Sequence, residues 1–175
     1  MGLDGTRTGS RTGPPASPPE PTTPTTPAAL PGAAHPAHQR ASLALLVLAG
    51  GAVGSLGRYG LTLALPQRHG WPVGTLVANL VGAFLLGVLL EMIGRRGPET
   101  AAATRVRLTL GTGVLGGFTT FSALALETER LLAQGGAAIG TAFAYAGVSL
   151  VGGVLAAAAG VALGGVLAGR RGGAA

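Results

Sequence analysis

The sequence contains no cysteine and no lysine, and charged residues of any kind are scarce. Without cysteine, the chain can form neither a disulfide framework nor a thiolate metal site. Only 10% of its residues are charged and 4% are aromatic, whereas 47% are hydrophobic. This balance argues against an ordinary soluble domain and against a basic, aromatic-rich surface that binds nucleic acid. The chain is therefore predicted to be an integral membrane protein.

Long hydrophobic runs are present instead, and there are four of them. A bilayer core about 30 Å thick needs about 20 helical residues, and the runs cover residues 42–65, 73–93, 105–132 and 137–168. Residues 1–40 hold nine of the twelve prolines and few large apolar residues, which predicts a disordered tail. The predicted organisation is thus a tail over residues 1–40, an all-α membrane domain of four helices over 41–171, and a short C-terminal tail over 172–175.

Small residues recur four positions apart within the predicted spans. This spacing puts them on one helix face, where they allow neighbouring helices to approach closely. The sets are Gly50 and Gly54; Gly74, Ala78 and Gly82; Gly113 and Gly117; and Gly160 and Gly164. The pattern predicts tight packing between helices.

All twelve basic residues are arginines, and those beside the spans are unevenly distributed. If the N-terminus is cytoplasmic, the outer side carries two of them, Arg68 and Arg130, and the inner side carries seven: Arg40, Arg95, Arg96, Arg105, Arg107, Arg170 and Arg171. Arginine is enriched on the cytoplasmic side of membrane proteins. Both termini are therefore predicted to be cytoplasmic, in a multi-pass protein of the cell membrane.

The third span contains the segment "GTGVLGGFTTFS", residues 111–122, with four glycines and four hydroxyl residues. Each glycine costs a helix about 1 kcal/mol relative to alanine, so the segment predicts an unwound turn near residues 116–119. Unwound carbonyls at membrane depth need partners and can hold a small hard cation. The alternative is a continuous helix, in which the glycines serve close packing and the threonines bond back to the preceding turn.

Polar side chains also occur inside the second and fourth spans. Thr75 and Asn79 are four apart in the second, and Tyr145 and Ser149 repeat this spacing in the fourth. An amide inside a bilayer requires a partner, so Asn79 is either a contact between helices or a ligand contact. These groups are hydrogen-bond donors without an acid or base among them, a set that suits an anion.

Two charged side chains lie nearer the span ends. Arg58, late in the first span, is predicted to reach the membrane surface and act as an interfacial anchor. Glu127, towards the end of the third span, is predicted to pair with an arginine at that level.

Three segments carry a resemblance to a known family: "GGAVGSLGRY" at 50–59, "GTLVANLVGAFLLG" at 74–87 and "GTGVLGGFTTFSALALE" at 111–127. In this order and spacing they resemble the CrcB/Fluc family of fluoride channels. The resemblance covers about residues 42–169. It implies passive, electrodiffusive export of fluoride from the cytoplasm, without enzymatic activity, by an antiparallel (dual-topology) dimer with two pores and a structural sodium ion at its centre.

The resemblance also implies roles for individual residues. Backbone carbonyls of Gly116 and Thr119, at a break in the third helix, would hold the sodium ion. The residues expected to contact fluoride along the pore are Asn79, Phe121, Ser122, Thr75, Tyr145 and Ser149.

This sequence departs from the family pattern at two positions and in its charge balance. The second pore phenylalanine is replaced by Leu124 and a further hydroxyl residue of the fourth helix by Gly153, while Phe118 does not match either motif position. Loop arginines that favour one orientation imply that the partner is a second, oppositely biased homologue rather than a copy of this chain.

Other classes of membrane protein require groups or behaviour that distinguish them from this one. A small drug or cation antiporter needs a carboxylate in its first span, and residues 42–65 have none. An intramembrane serine protease using Ser122 needs a base, but His35, His38 and His69 all lie outside the spans. An accessory membrane protein would show no ion flux and would tolerate the loss of Asn79.

Overall fold

The computed structural model describes residues 37–68 and 70–172, and these residues form helices joined by short loops. The predicted tail, residues 1–40, lies outside the described residues except for its last turn, and residues 173–175 also lie outside them. No strand occurs in the described ranges; one isolated bridge joins Arg68 to Trp71. The predicted all-α class is confirmed.

Four helical stretches are long and apolar enough to cross a membrane. Helix α1 covers Ala37–Ala64, and α2 covers Val73–Gly94. The third stretch runs over Ala101–Gln134 in several pieces, and the last is α6, Ala137–Gly172. The predicted number and order of the spans are confirmed, and α1 begins at Ala37 rather than at residue 42.

The pieces of the third stretch differ in backbone geometry. Helix α3, Ala101–Val106, leads into a π-helix over Arg107–Leu115, which is followed by the single turn α4, Gly116–Phe118. After two extended residues the chain resumes as α5, Phe121–Gln134. The direction of the stretch changes little across these joints, because the bend is only 13°.

Glycines bring the helices together in two pairs, as the four-residue spacing predicts. In the first pair, α1 packs on the third stretch: a Cβ added at Gly50 would lie 2.5 Å from the Thr109 carbonyl oxygen, and one at Gly113 would lie 2.9 Å from the Val47 carbonyl oxygen. Atoms this close leave no space for a side chain, so the backbones are in direct contact.

The second pair is α2 with α6. Gly160 lies against the backbone of Phe84, and one turn later Gly164 lies against Val88. Because residue numbers rise together along both helices, α2 and α6 run parallel. Parallel packing brings the polar face of α2 beside the polar face of α6, residues 75 and 79 beside residues 145 and 149.

The interior of the described chain is small. Apart from glycines, the side chains buried within it include Ala78, Leu124, Ala142 and Tyr145. Many large apolar side chains are exposed instead, as expected for a chain whose surroundings are lipid or another subunit.

Candidate functional site

The chain leaves helical geometry at two residues in the third stretch. Thr119 has φ −83° and ψ 155°, and Thr120 has φ −153° and ψ 119°. Asn79 of α2 pairs with this extended backbone: its Nδ2 donates to the Thr120 carbonyl at 3.0 Å, and its Oδ1 accepts from the Thr120 N–H at 2.7 Å. The amide side chain thus replaces the peptide groups that a continuous helix would supply.

The extended residues leave carbonyl groups of the preceding turn without their helical donors. In a continuous helix the N–H of Thr120 would bond to Gly116, and the N–H of Ala123 would bond to Thr119. Here the first N–H goes to Asn79, and the second donates to the Thr120 hydroxyl at 3.2 Å. The carbonyls released include those of Gly116 and Thr119, the residues that the family resemblance nominates for a cation.

A positive side chain lies next to the same turn. The Nε of Arg58 approaches the Gly117 carbonyl at 3.4 Å, and the Ser55 hydroxyl approaches it at 3.5 Å. Both are long hydrogen bonds. The half-buried Arg58 side chain therefore contacts the middle of the third stretch, while its anchoring role at the membrane surface stays a prediction.

A groove of about 470 Å³ opens beside the extended residues, between α2, the third stretch and α6. None of the described residues that line it is charged. Gly116 and Thr119 line it, as do the side chains of Asn79 and Ser149. Ser149 is only 6% exposed, and its hydroxyl has no partner in the described part of the chain. The groove is thus an apolar space with unused hydrogen-bonding capacity.

Two other predicted residues lie at or next to the groove. Phe121 lines it and is 74% exposed on the surface of the single chain. Ser122 follows it, and its hydroxyl lies 3.1 Å from that of Thr120. The first side chain of α5 is therefore available to a ligand or to a second subunit.

Thr75 and Tyr145 belong to a separate cluster, one turn away from Asn79 and Ser149 along their helices. Both hydroxyls donate to Glu127 of α5, Thr75 to Oε1 at 2.8 Å and Tyr145 to Oε2 at 2.6 Å. The ring of Trp71 meets that of Tyr145 edge-on, with centroids 6.3 Å apart. Glu127 is therefore held by two hydroxyls, not by the arginine that the sequence led us to expect.

The two departures from the family pattern differ in their surroundings. Leu124 is 6% exposed and packs in the interior with Tyr145, although one side of it lines the groove. Gly153 also lines the groove, and a Cβ added there would meet no atom within 4 Å. Phe118 does not line the groove, and its ring lies next to Gly57 and Gly82.

The structure therefore brings most of the predicted residues together in two groups. Asn79, Ser149 and Phe121 meet at the groove together with the released carbonyls, whereas Thr75 and Tyr145 meet at Glu127. The bonding of Glu127 to the Thr75 and Tyr145 hydroxyls was not predicted, because these contacts depend on how three helices align. A carboxylate placed within an apolar span was the available signal.

Residues 45–161 match the family model described as CrcB-like protein, Camphor Resistance (CrcB). The match covers most of the described chain and includes every residue that lines the groove. The chain belongs to the CrcB family. Its predicted membership is confirmed, and the four apolar helices make it a multi-pass membrane protein.

Curated relatives of this CrcB chain are named as fluoride-specific ion channels. The chain is 45% identical to one from Caulobacter vibrioides over 105 residues, which are 59% of this chain and 80% of the relative. It is 45% identical to one from Deinococcus radiodurans over 114 residues, 63% of this chain and 85% of the relative. With "Fluoride-specific ion channel FluC 1" of Cutibacterium acnes it shares 48% over 87 residues, 49% and 61% of the two chains. These names agree with the expectation that the chain is not an enzyme.

Proposed function

We propose that this chain is a subunit of a fluoride-selective channel through which fluoride leaves the cytoplasm passively, down its electrochemical gradient. The observation that carries this proposal is the uncharged groove, into which Asn79 and the unpartnered Ser149 hydroxyl bring hydrogen-bond donors. The family match and the names of the relatives support fluoride as the ion.

The groove has chemistry that a small anion needs on leaving water. Asn79 uses one Nδ2 hydrogen on Thr120 and retains a second. Ser149 adds a hydroxyl, and the edge of the Phe121 ring carries partial positive charge that can face an anion. Together these groups replace part of the hydration shell without a basic residue, which would bind the anion too tightly to release it.

The path continues, in this proposal, from Ser149 towards Tyr145 and Thr75, with Ser122 near its other side. The first two hydroxyls are occupied by Glu127 in the structure. They become donors to an anion only when the carboxylate turns away or takes up a proton. Glu127 is therefore assigned control over the donors at this end of the path.

A sodium ion, which the family resemblance implies, fits the carbonyls of Gly116 and Thr119. These are neutral oxygen donors released from helical bonding, the kind of ligand that holds sodium at unwound membrane helices. When bound, the ion supplies positive potential that favours a nearby anion. A hard cation takes about six oxygen ligands. Two carbonyls of one chain are therefore too few, and a second subunit must supply further oxygen ligands.

The second subunit is proposed to insert in the opposite orientation. Phe121 is exposed at the surface of the single chain, and Gly116 and Thr119 line the groove beside it, so a partner can complete this region. The arginine excess on one side favours a fixed orientation, with both termini in the cytoplasm. The partner is then a homologue with the reverse bias.

A drug or cation antiporter is the alternative, and the groove does not favour it. The described residues that line the groove include no carboxylate, which is the group that such a protein uses to bind a cation or a proton.

Fluoride efflux from proteoliposomes tests the proposal. The chain and its partner are reconstituted with internal potassium fluoride or potassium chloride, and efflux is followed with ion-selective electrodes before and after valinomycin is added. Fluoride efflux that requires valinomycin, with much slower chloride efflux, is expected of an electrodiffusive, selective pore. Equal rates for the two anions would remove the selectivity claim, and efflux driven by a proton gradient without valinomycin would indicate coupled transport.

The cation is tested separately from the flux. The melting temperature of the assembled channel in detergent is expected to rise with sodium concentration and not with N-methylglucamine at equal ionic strength. A melting temperature that responds equally to both salts would contradict a sodium site.

A further inference from the structure

A second groove, of about 410 Å³, lies where α2 ends and α3 begins, and it shares no residue with the first. Leu90 and Ile93 of α2 and Val106 of α3 form an apolar wall. Leu90 is 44% exposed and Val106 is 40% exposed. The fluoride pathway proposed above makes no use of this groove.

The polar end of the second groove is positively charged. Arg96 and Arg107 line it together with one acid, Glu99. Arg107 forms an ion pair with Glu99, with Nη2 and Oε1 2.9 Å apart. Arg96 has no acidic partner among the described residues, so the groove carries one net positive charge.

The position of the groove along the helices places its charged end at the level of the lipid headgroups and its apolar wall at the level of the acyl chains. The apolar residues belong to the last turn of one membrane span and the first turns of the next. Arg96 lies in the loop between these spans, and the Arg107 side chain reaches back from the second span to Glu99 of the loop. Arginines that flank a span lie at the level of the lipid headgroups. The wall of Leu90 and Val106 is then level with the outer part of the acyl chains.

We propose that this groove binds one anionic phospholipid. Its phosphodiester is held by Arg96 and Arg107, and one acyl chain lies along Leu90, Ile93 and Val106. A single phosphodiester charge balances the single net charge of the groove. A zwitterionic lipid is a poorer ligand, because its ammonium group adds positive charge next to the unpaired Arg96. The proposal does not depend on fluoride conduction.

Native mass spectrometry of the full-length chain in a neutral detergent tests this directly. The chain is titrated with palmitoyl-oleoyl phosphatidylglycerol or with phosphatidylcholine of the same acyl chains. One phosphatidylglycerol per chain is expected to bind at least about fivefold more tightly than phosphatidylcholine, the effect of one basic charge next to an anionic headgroup. Equal binding of the two lipids overturns the proposal.

Two substitutions with opposite effects separate the site from a general loss of folding. Arg96→Gln is expected to weaken phosphatidylglycerol binding about fivefold, and Glu99→Gln, which removes the acid of the groove, is expected to strengthen it by a similar factor. The matched control is Arg105→Gln: Arg105 is exposed and unpaired among the described residues but does not line the groove. Equal losses for Arg96→Gln and Arg105→Gln would mean nonspecific attraction and would contradict the proposal.

A competition arm distinguishes a lipid from a free phosphate compound. Glycerophosphoglycerol has the same headgroup without acyl chains, so at equal concentration it is expected to leave the bound lipid in place. Displacement of the lipid by this soluble compound would show that the apolar wall adds nothing, and it would overturn the assignment to a lipid.

Discussion

Asn79, the only asparagine of the chain, acts on backbone rather than on another side chain. Both of its polar groups bond to Thr120, so it satisfies an N–H and a carbonyl that the extended backbone would leave unpaired. From sequence alone, Asn79 was either a contact between helices or a ligand contact. In the structure Asn79 makes the contact between helices, and its second Nδ2 hydrogen remains available for a ligand.

Replacing Asn79 with leucine tests how much depends on this pairing. Asn79→Leu leaves two backbone groups of Thr120 unpaired, each at a cost of about 1–3 kcal/mol. We expect a loss of stability of about 2–6 kcal/mol in thermal or detergent unfolding, together with loss of fluoride efflux.

Thr128→Val is the control for this substitution. The Thr128 hydroxyl bonds to the Leu124 carbonyl within its own helix at 2.7 Å, so its loss leaves that carbonyl with its helical donor. A change below about 0.5 kcal/mol is expected for a substitution of this kind. An Asn79→Leu protein as stable as Thr128→Val would show that the pairing contributes nothing.

Of the two departures from the family pattern, Gly153 is the one at which the structure has space for the expected hydroxyl residue. A serine there adds a hydroxyl one turn beyond Ser149 and meets no atom within 4 Å of its Cβ. If this donor assists the rate-limiting step by about 1 kcal/mol, fluoride efflux rises about fivefold. The rate in proteoliposomes is the measurement.

Gly147→Ser provides the matched control on the same helix. A Cβ at Gly147 also meets nothing within 4 Å, but the residue does not line the groove. Both substitutions improve helix propensity equally, so a shared effect would come from the helix and would refute the assignment of Gly153 to the pore. Leu124→Phe is expected to behave differently, because enlarging a side chain this buried costs about 1–3 kcal/mol.

Among the helices, the third stretch is the one whose course depends on specific side chains. Thr120 ends the extended segment and caps α5 by accepting from the Ala123 N–H. Thr100 caps α3 in the same way, accepting from the Ala103 N–H. Both threonines thus cap a helix N-terminus, Thr100 near the end of the membrane span and Thr120 near its middle.

This equivalence gives a prediction for Thr120→Val. Loss of a threonine cap costs about 0.5–2 kcal/mol, and we expect a similar destabilisation from Thr120→Val and Thr100→Val in thermal unfolding. Only Thr120→Val is expected to reduce fluoride efflux. Without the Thr120 hydroxyl, the Ala123 N–H can bond to the Thr119 carbonyl instead. Equal effects of both variants on efflux would mean that stability alone is responsible.

The course of the helices was predictable from sequence only where it depends on hydrophobic length. Helix α2 was predicted over residues 73–93 and occupies Val73–Gly94, because apolar length and flanking prolines determine a span. The π-helix over Arg107–Leu115 was not predicted, since one extra residue per turn leaves no distinct hydrophobic period. The sequence offered two predictions for "GGFTTFS", an unwound turn or a helix with back-bonded threonines, and each is partly right. The Thr119 hydroxyl bonds back to the Leu115 carbonyl at 2.9 Å, whereas Thr120 is extended.

The candidate site was predictable to a similar extent. Asn79 and Ser149 could be chosen because polar side chains are costly within a membrane. Their meeting at one groove follows from parallel packing of α2 and α6, which depends on contacts such as Gly160 with Phe84. The cluster at Glu127 depends on three helices at once, and no spacing within one segment encodes it.

For the whole chain, the main asymmetry is between its two membrane faces. Seven arginines flank the spans on one side and two on the other. Two acids, Glu91 and Glu99, pair with arginines of the richer side, Arg95 and Arg107. Acidic residues contribute little to membrane orientation, so these pairs do not cancel the bias. A single orientation is expected, and with it a need for a partner of opposite bias.

The absence of cysteine makes this orientation measurable without background. Single substitutions Gln67→Cys, Pro98→Cys and Gln134→Cys place an exposed thiol in, or at the edge of, each of the three loops between spans. We expect an impermeant maleimide to label Gln67→Cys and Gln134→Cys on intact cells, and Pro98→Cys only after permeabilisation. The unsubstituted chain is the blank. Labelling of all three loops to about half on intact cells would reject a fixed orientation, and strong fluoride efflux from this chain without its homologue would reject the requirement for a partner.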